Sequence, residues 1–175
     1  MDAQPSKLAQ AASWYLNAVD AVPAEGWRKP TLCEAWTVSN VVAHVATGDQ
    51  LFHARILDAM GKDRAGQDLP VDTADRMRRF GEYSTWQPAK LKAAAHREAE
   101  QTVAAIAEAL GESPQTIVDV PFGKVPLPVV RGLRLNEYII HGHDLSPAIG
   151  RSTRAQERAT PDRNYRPPCL TIAFC

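Results

Sequence analysis

Glu137 and His141 stand four residues apart in the stretch RLNEYIIHGHDL. On a helix that spacing turns two side chains by about 40° around the axis and one turn along it, so both leave the same face. A carboxylate and an imidazole placed this way can ligate one divalent metal ion. Asp144, three residues further on, stays near that face and suits a carboxylate that orients a ligand histidine through its distal ring nitrogen, with helix capping or a salt bridge as the rival account. His143 points roughly opposite His141 and is left out. By itself the pair is a weak motif, because ion pairs at this spacing are common on helix surfaces.

A zinc site needs at least three protein ligands, and a catalytic one keeps a further position open. The third donor has three candidates: His44, His53 and His96. His44 lies in WTVSNVVAHVA, on the apolar side of its helix with Val41 and Val45 as neighbours. His53 falls about 180° away from it at 100° per residue. His96 sits among Lys92, Arg97 and Glu98 and reads as solvated. The inward histidine gives the set His44, Glu137 and His141. Carboxylate and imidazole ligands suit zinc, and also iron, nickel or manganese.

Helical periodicity dominates the elements that must position these groups. Ser6 is placed to cap a first helix in which Leu8, Ala12, Tyr15, Leu16 and Val19 recur at helical spacing, ending near Pro23 and Gly26. Thr37 is placed to cap a second, running to about residue 60 with a buried stripe of Val38, Val41, Val42, Val45, Phe52 and Ile56. Residues 62–75 are charged, carry Gly66 and Pro70, show no sustained period and read as a connection without chemistry. Thr85 is the expected cap of a third helix, with Pro88 in its first turn and an alanine-rich run to Leu110. Residues 117–130 are β-branched or bulky and interrupted by prolines, which predicts an extended arm or irregular hairpin. A fourth helix is expected over residues 132–149.

The bulk numbers narrow the setting. A chain of 175 residues with 45% hydrophobic residues is long enough for one core, and one domain is expected over residues 1–150. Lys plus Arg and Asp plus Glu number 20 each, so no global field favours nucleic acid or an anionic membrane. No apolar stretch approaches about 18 residues, which argues against a membrane span. Three cysteines without CxxC spacing argue against a disulfide framework and a thiolate zinc knot, and reduced thiols in a cytoplasm are the expected setting.

Two blocks carry a family resemblance. TLCEAWTVSNVVAHVATGDQLF resembles the second-helix signature of the mycothiol-dependent maleylpyruvate isomerase N-terminal domain, a branch of the DinB-like four-helix metalloproteins. PFGKVPLPVVRGLRLNEYIIHGHDL resembles its other signature, a glutamate, three residues, a histidine, two residues and an aspartate on the helix after a short extended arm. The resemblance covers residues 7–150 and implies an all-α, DinB-like four-helix bundle with that arm before the last helix. It implies a divalent metal, zinc foremost, on His44, Glu137 and His141, and mycothiol as thiol cosubstrate. Trp36 and Cys33 match a tryptophan and a cysteine of the family, and both are read as packing residues.

An open metal of this kind lowers the pKa of a bound thiol or water. For the family isomerase, the thiolate adds to the conjugated double bond of the substrate, the resulting single bond rotates, and elimination returns the trans alkene. The same thiolate could attack an electrophile and stay attached, as in a thiol transferase. No catalytic side chain beyond the ligands is implied. Arg131 and Arg134, just before the ligands, are candidates to grip a carboxylate substrate, and Asn40 either lines the cavity or caps local backbone. The alternative reading is a non-catalytic metal-binding bundle acting through homodimerisation or ligand binding, and a fourth protein ligand, most plausibly Asp144, would favour it. Family isomerases carry a second domain, for which residues 151–175, RSTRAQERATPDRNYRPPCLTIAFC, are too few. They are expected to form a basic, proline-containing tail, disordered or the remnant of a truncated second domain.

Overall fold

Thr37 and Asn40 set the start of the central helix. The Thr37 hydroxyl accepts from the Asn40 N–H at 3.4 Å, and Asn40 Oδ1 accepts from the Thr37 N–H at 3.0 Å, a reciprocal capping box. The helix that follows, α2 (Val38–Ala59), is buried on nearly every side, which is why its apolar stripe continues into the buried polar residues Thr47, Asp49 and Gln50. The computed structural model describes residues 6–150, so the expectations for the tail at 151–175 lie outside the described residues.

Against α2 pack α4 (Pro88–Glu112) and α5 (Leu127–Asp144), and α1 (Lys7–Asp20) completes the bundle by packing on α5 and α4. Ser6 caps α1 by accepting from the Ala9 N–H, and Leu8, Ala12, Tyr15, Leu16 and Val19 face the core as the periodicity predicts. The arm is a hairpin of β1 (Ile117–Val120) and β2 (Gly123–Pro126), antiparallel with Ile117 opposite Pro126 and Val120 opposite Gly123. Val118 and Val120 are its buried residues, while Gly123 takes a φ of 124° that a side chain would strain.

Three boundaries depart from the sequence expectation. A fifth helix, α3 (Thr73–Tyr83), begins within the stretch expected to be a connection; Asp72 caps it by accepting from the Asp75 N–H at 2.8 Å. Its buried residues are Arg76, Arg79 and Tyr83, so it carries no apolar stripe to reveal it. Thr85 does not cap α4. Its hydroxyl donates to the Glu82 carbonyl at the end of α3, and Gln87 holds the cap position ahead of Pro88. The last helix starts five residues early, at Leu127: Pro126 holds the cap position and Pro128 falls in the first turn, where a missing N–H costs nothing. α5 ends at Asp144, and a short 3-10 turn, Ser146–Ile149, completes the segment before Gly150 turns left-handed at φ 67°.

Candidate metal site

His44 projects from α2, and Glu137 and His141 from α5, onto one wall of a cavity of about 340 Å³. Their donor atoms all lie within 4.8 Å of one another. Glu137 Oε2 stands 3.2 Å from His44 Nε2 and 3.4 Å from His141 Nε2, so the three side chains converge on a single point. Among the described residues this is the one group of three or more such donors close enough to share an ion.

Their partners differ. His141 Nδ1 lies 2.8 Å from the Asp144 carboxylate, which fixes the ring with Nε2 toward Glu137. Burial pulls His141 down, but Asp144 and Glu137 outweigh it and hold the imidazole up at about 9. His44 is pushed down to about 4, first by burial and also by the Arg76 guanidinium, with the Glu137 hydrogen bond opposing. Burial works against the Glu137 anion, yet both histidines and Arg134 together keep its carboxyl well below the usual carboxylate range. Near neutral pH the carboxylate is ionised and His44 is neutral. These residue types, distances and the Asp144 support fit a divalent ion with nitrogen and oxygen ligands.

The cavity wall adds Trp36, whose ring centroid is 4.9 Å from that of His44 and 6.4 Å from that of His141, and Phe80 packs against Trp36 at 5.7 Å. Cys33 is buried at the same wall. Arg134 is buried behind this cluster. It pairs with Asp49 at 2.8 Å and approaches Glu137 to 3.8 Å, joining α5 to α2 through a buried ion pair. Tyr138 donates to the same Asp49 oxygen at 2.8 Å. Burial raises the Asp49 carboxyl to about 6 against the pull of Arg134, so it is still an anion at neutral pH.

Other sequence candidates fall elsewhere. Arg131 is exposed and lies off the cavity wall, and Asn40 serves the α2 cap. His53 is buried on another side of α2, at a second cavity between α2 and α4, while His96 pairs with Asp20 at 3.1 Å and His143 packs against Trp14. Of the charged residues lining the cavity, one escaped the sequence reading: Arg76, from α3, puts Nη2 3.0 Å from His44 Nδ1 and 3.2 Å from the His44 carbonyl oxygen. The only sequence cue was its place three residues after Thr73 in a charged segment, and charge alone does not distinguish a buried arginine from a solvated one.

The fold has solved counterparts. The crystal structure of the mycothiol-dependent maleylpyruvate isomerase superposes with a TM-score of 0.68 at 22% identity, covering 79% of this chain and 57% of that one. A mutant of that enzyme gives 0.66 over the same shares. Two uncharacterised proteins of Mycobacterium tuberculosis, from strains CDC 1551 / Oshkosh and H37Rv, are each 28% identical over 124 residues, 71% of this chain and 55% of theirs. The chain thus spans little more than half the length of these relatives. No described helix is long and apolar enough to cross a membrane. Residues 8–146 match the model of the mycothiol maleylpyruvate isomerase N-terminal domain, and the chain belongs to that family.

Proposed function

We propose that this chain is the metal-binding unit of a mycothiol-dependent enzyme of the maleylpyruvate isomerase type, with His44, Glu137 and His141 as ligands of one divalent ion, zinc foremost. The observation that carries the reading is the convergence of those three donors within 4.8 Å at the wall of a cavity. Asp144, the nearest further carboxylate, is engaged with His141 Nδ1. That leaves a three-ligand set, which favours an open catalytic ion over a closed structural one.

When bound, the ion supplies a Lewis acid that makes a thiol acidic enough to serve as thiolate near neutral pH. The chain's own residues do the rest. Glu137 brings the negative charge that draws a cation to the site, and Asp144 holds the His141 ring in the ligating orientation. Trp36, Phe52 and Phe122 give the cavity an apolar lining for the thiol and its electrophile. Arg76, the cationic group beside His44, is placed to orient a substrate carboxylate. Isomerisation and thiol transfer both use this arrangement, and both are reactions of small molecules; a cytoplasmic setting accords with a small-thiol cosubstrate.

The test is elemental analysis of protein purified without chelator, beside His44→Ala and Glu137→Ala. About one metal per chain, lost in both variants, is expected, together with turnover of an electrophile that requires added mycothiol. Metal that stays sub-stoichiometric and indifferent to both substitutions would sink the site.

A further inference from the structure

The two ligand histidines carry opposite partners on their outer nitrogens. His141 Nδ1 faces a carboxylate, the arrangement that keeps a proton on Nδ1 and leaves Nε2 for an ion. His44 Nδ1 faces the Arg76 guanidinium at 3.0 Å. A guanidinium only donates, so His44 Nδ1 here accepts, and the ring proton sits on Nε2 toward Glu137 Oε2 at 3.2 Å. A neutral imidazole that ligates a metal through Nε2 carries its proton on Nδ1 instead. That N–H and the Arg76 N–H would be two donors pointed at each other. The ion and Arg76 therefore demand opposite tautomers of the His44 ring.

Arg76 has somewhere to go. It is held by α3 at the cavity wall, against the stretch of α2 where Gly48 has no side chain; a Cβ there would lie 3.7 Å from Arg76 Nη2 and 3.2 Å from Arg134 Nη1. Asp49 is tied to Arg134, and Asp144 to His141, so neither carboxylate compensates a guanidinium that moves into the cavity. A bound divalent ion adds two further positive charges beside it. The cavity would then be cationic at its floor and apolar at its sides, and its volume of about 340 Å³ suits a small organic acid.

We propose that Arg76 couples metal loading to the binding of a small carboxylate. An ion on His44 displaces the guanidinium from Nδ1 into the cavity, where it takes the carboxylate as a two-pronged donor. A bound carboxylate in turn holds Arg76 away from His44 and tightens the ion, because coupling between two ligands is reciprocal. The inference rests on the metal reading proposed above.

Zinc affinity of the full chain, measured by competition with a chromophoric chelator with and without saturating maleate, tests it in wild type and Arg76→Met. Maleate tightens zinc in the wild type by about tenfold, a usual size for such coupling. Arg76→Met binds zinc about tenfold tighter than wild type without maleate, the lower end of outer-partner effects, and loses the maleate response. Zinc affinity unchanged or weakened in Arg76→Met, or a maleate response that survives in it, overturns the proposal; in the latter case the acid sits on the ion alone. Circular dichroism establishes folding. If Arg76→Met does not fold, Arg76→Lys, which keeps the charge without the fork, must show a smaller maleate response than wild type, and an equal one overturns the coupling. Zinc uptake that ignores His44→Ala defeats the metal reading itself. Uptake that needs His44 but ignores Arg76 defeats only this inference.

Discussion

With Nδ1 held 2.8 Å from Asp144, His141 presents Nε2 toward Glu137 without any searching of its ring. Removing that carboxylate charge while keeping the shape isolates its contribution. Asp144→Asn keeps all three proposed ligands yet is expected to weaken metal binding about 10- to 100-fold, the usual cost of losing such a support, when measured by chelator competition. An affinity equal to wild type would mean that backbone position alone orients the ring. Glu137, His141 and Asp144 were legible in the sequence because helical spacing dictates which side chains share a face. Arg76 was not, and Arg134 was legible only as a basic residue near the ligands. Whether an arginine is solvated or buried against a partner depends on Asp49 and His44, which are distant in sequence and adjacent only after folding.

The helices were legible where an apolar stripe or a side-chain cap marked them, as with Ser6 for α1 and Thr37 for α2. They were illegible where polar residues face inward, as Arg76 and Arg79 do on α3, with Arg79 paired to Asp68 at 2.8 Å and Asp75 at 3.2 Å. Prolines misled at the start of α5, because the same residue that interrupts a strand also opens a helix. The packing of α5 on α1 has its own requirement. A Cβ added at Gly142 would come within 2.1 to 2.8 Å of the Trp14 ring, so only glycine lets the two helices approach beside His141. Gly142→Ala is expected to lower stability by about 1–3 kcal/mol in denaturant melts, the usual range for overpacking. A Trp14→Leu background should remove most of that loss, whereas an undiminished loss would locate the strain elsewhere.

At the scale of the whole molecule, the ion pair of Asp49 with Arg134 joins α2 and α5 away from solvent. Its titration sets a pH dependence with a definite sign. Burial raises the Asp49 carboxyl from 3.8 to about 6 in the folded chain, so between those values the folded state holds a proton that the unfolded state has released. Stability from this group is therefore full below about pH 4 and falls as pH rises to about 6. Denaturant midpoints taken across that range should show the decline in wild type relative to Asp49→Asn, which cannot ionise there. A difference that stays flat would mean that Arg134 holds the carboxylate ionised throughout.

His44 and Glu137 lie 93 residues apart in the chain, yet their side chains meet at 3.2 Å. No short segment can therefore build this cluster, and bringing its members together carries the entropy of closing a long loop. A chain emerging from the ribosome holds His44 long before α5 has been made, so the proposed three-ligand site would be incomplete until residue 141 is free. On the proposed metal reading, uptake would report completed folding, and a metal-sensitive probe followed during refolding would time the closure of α5 onto α2.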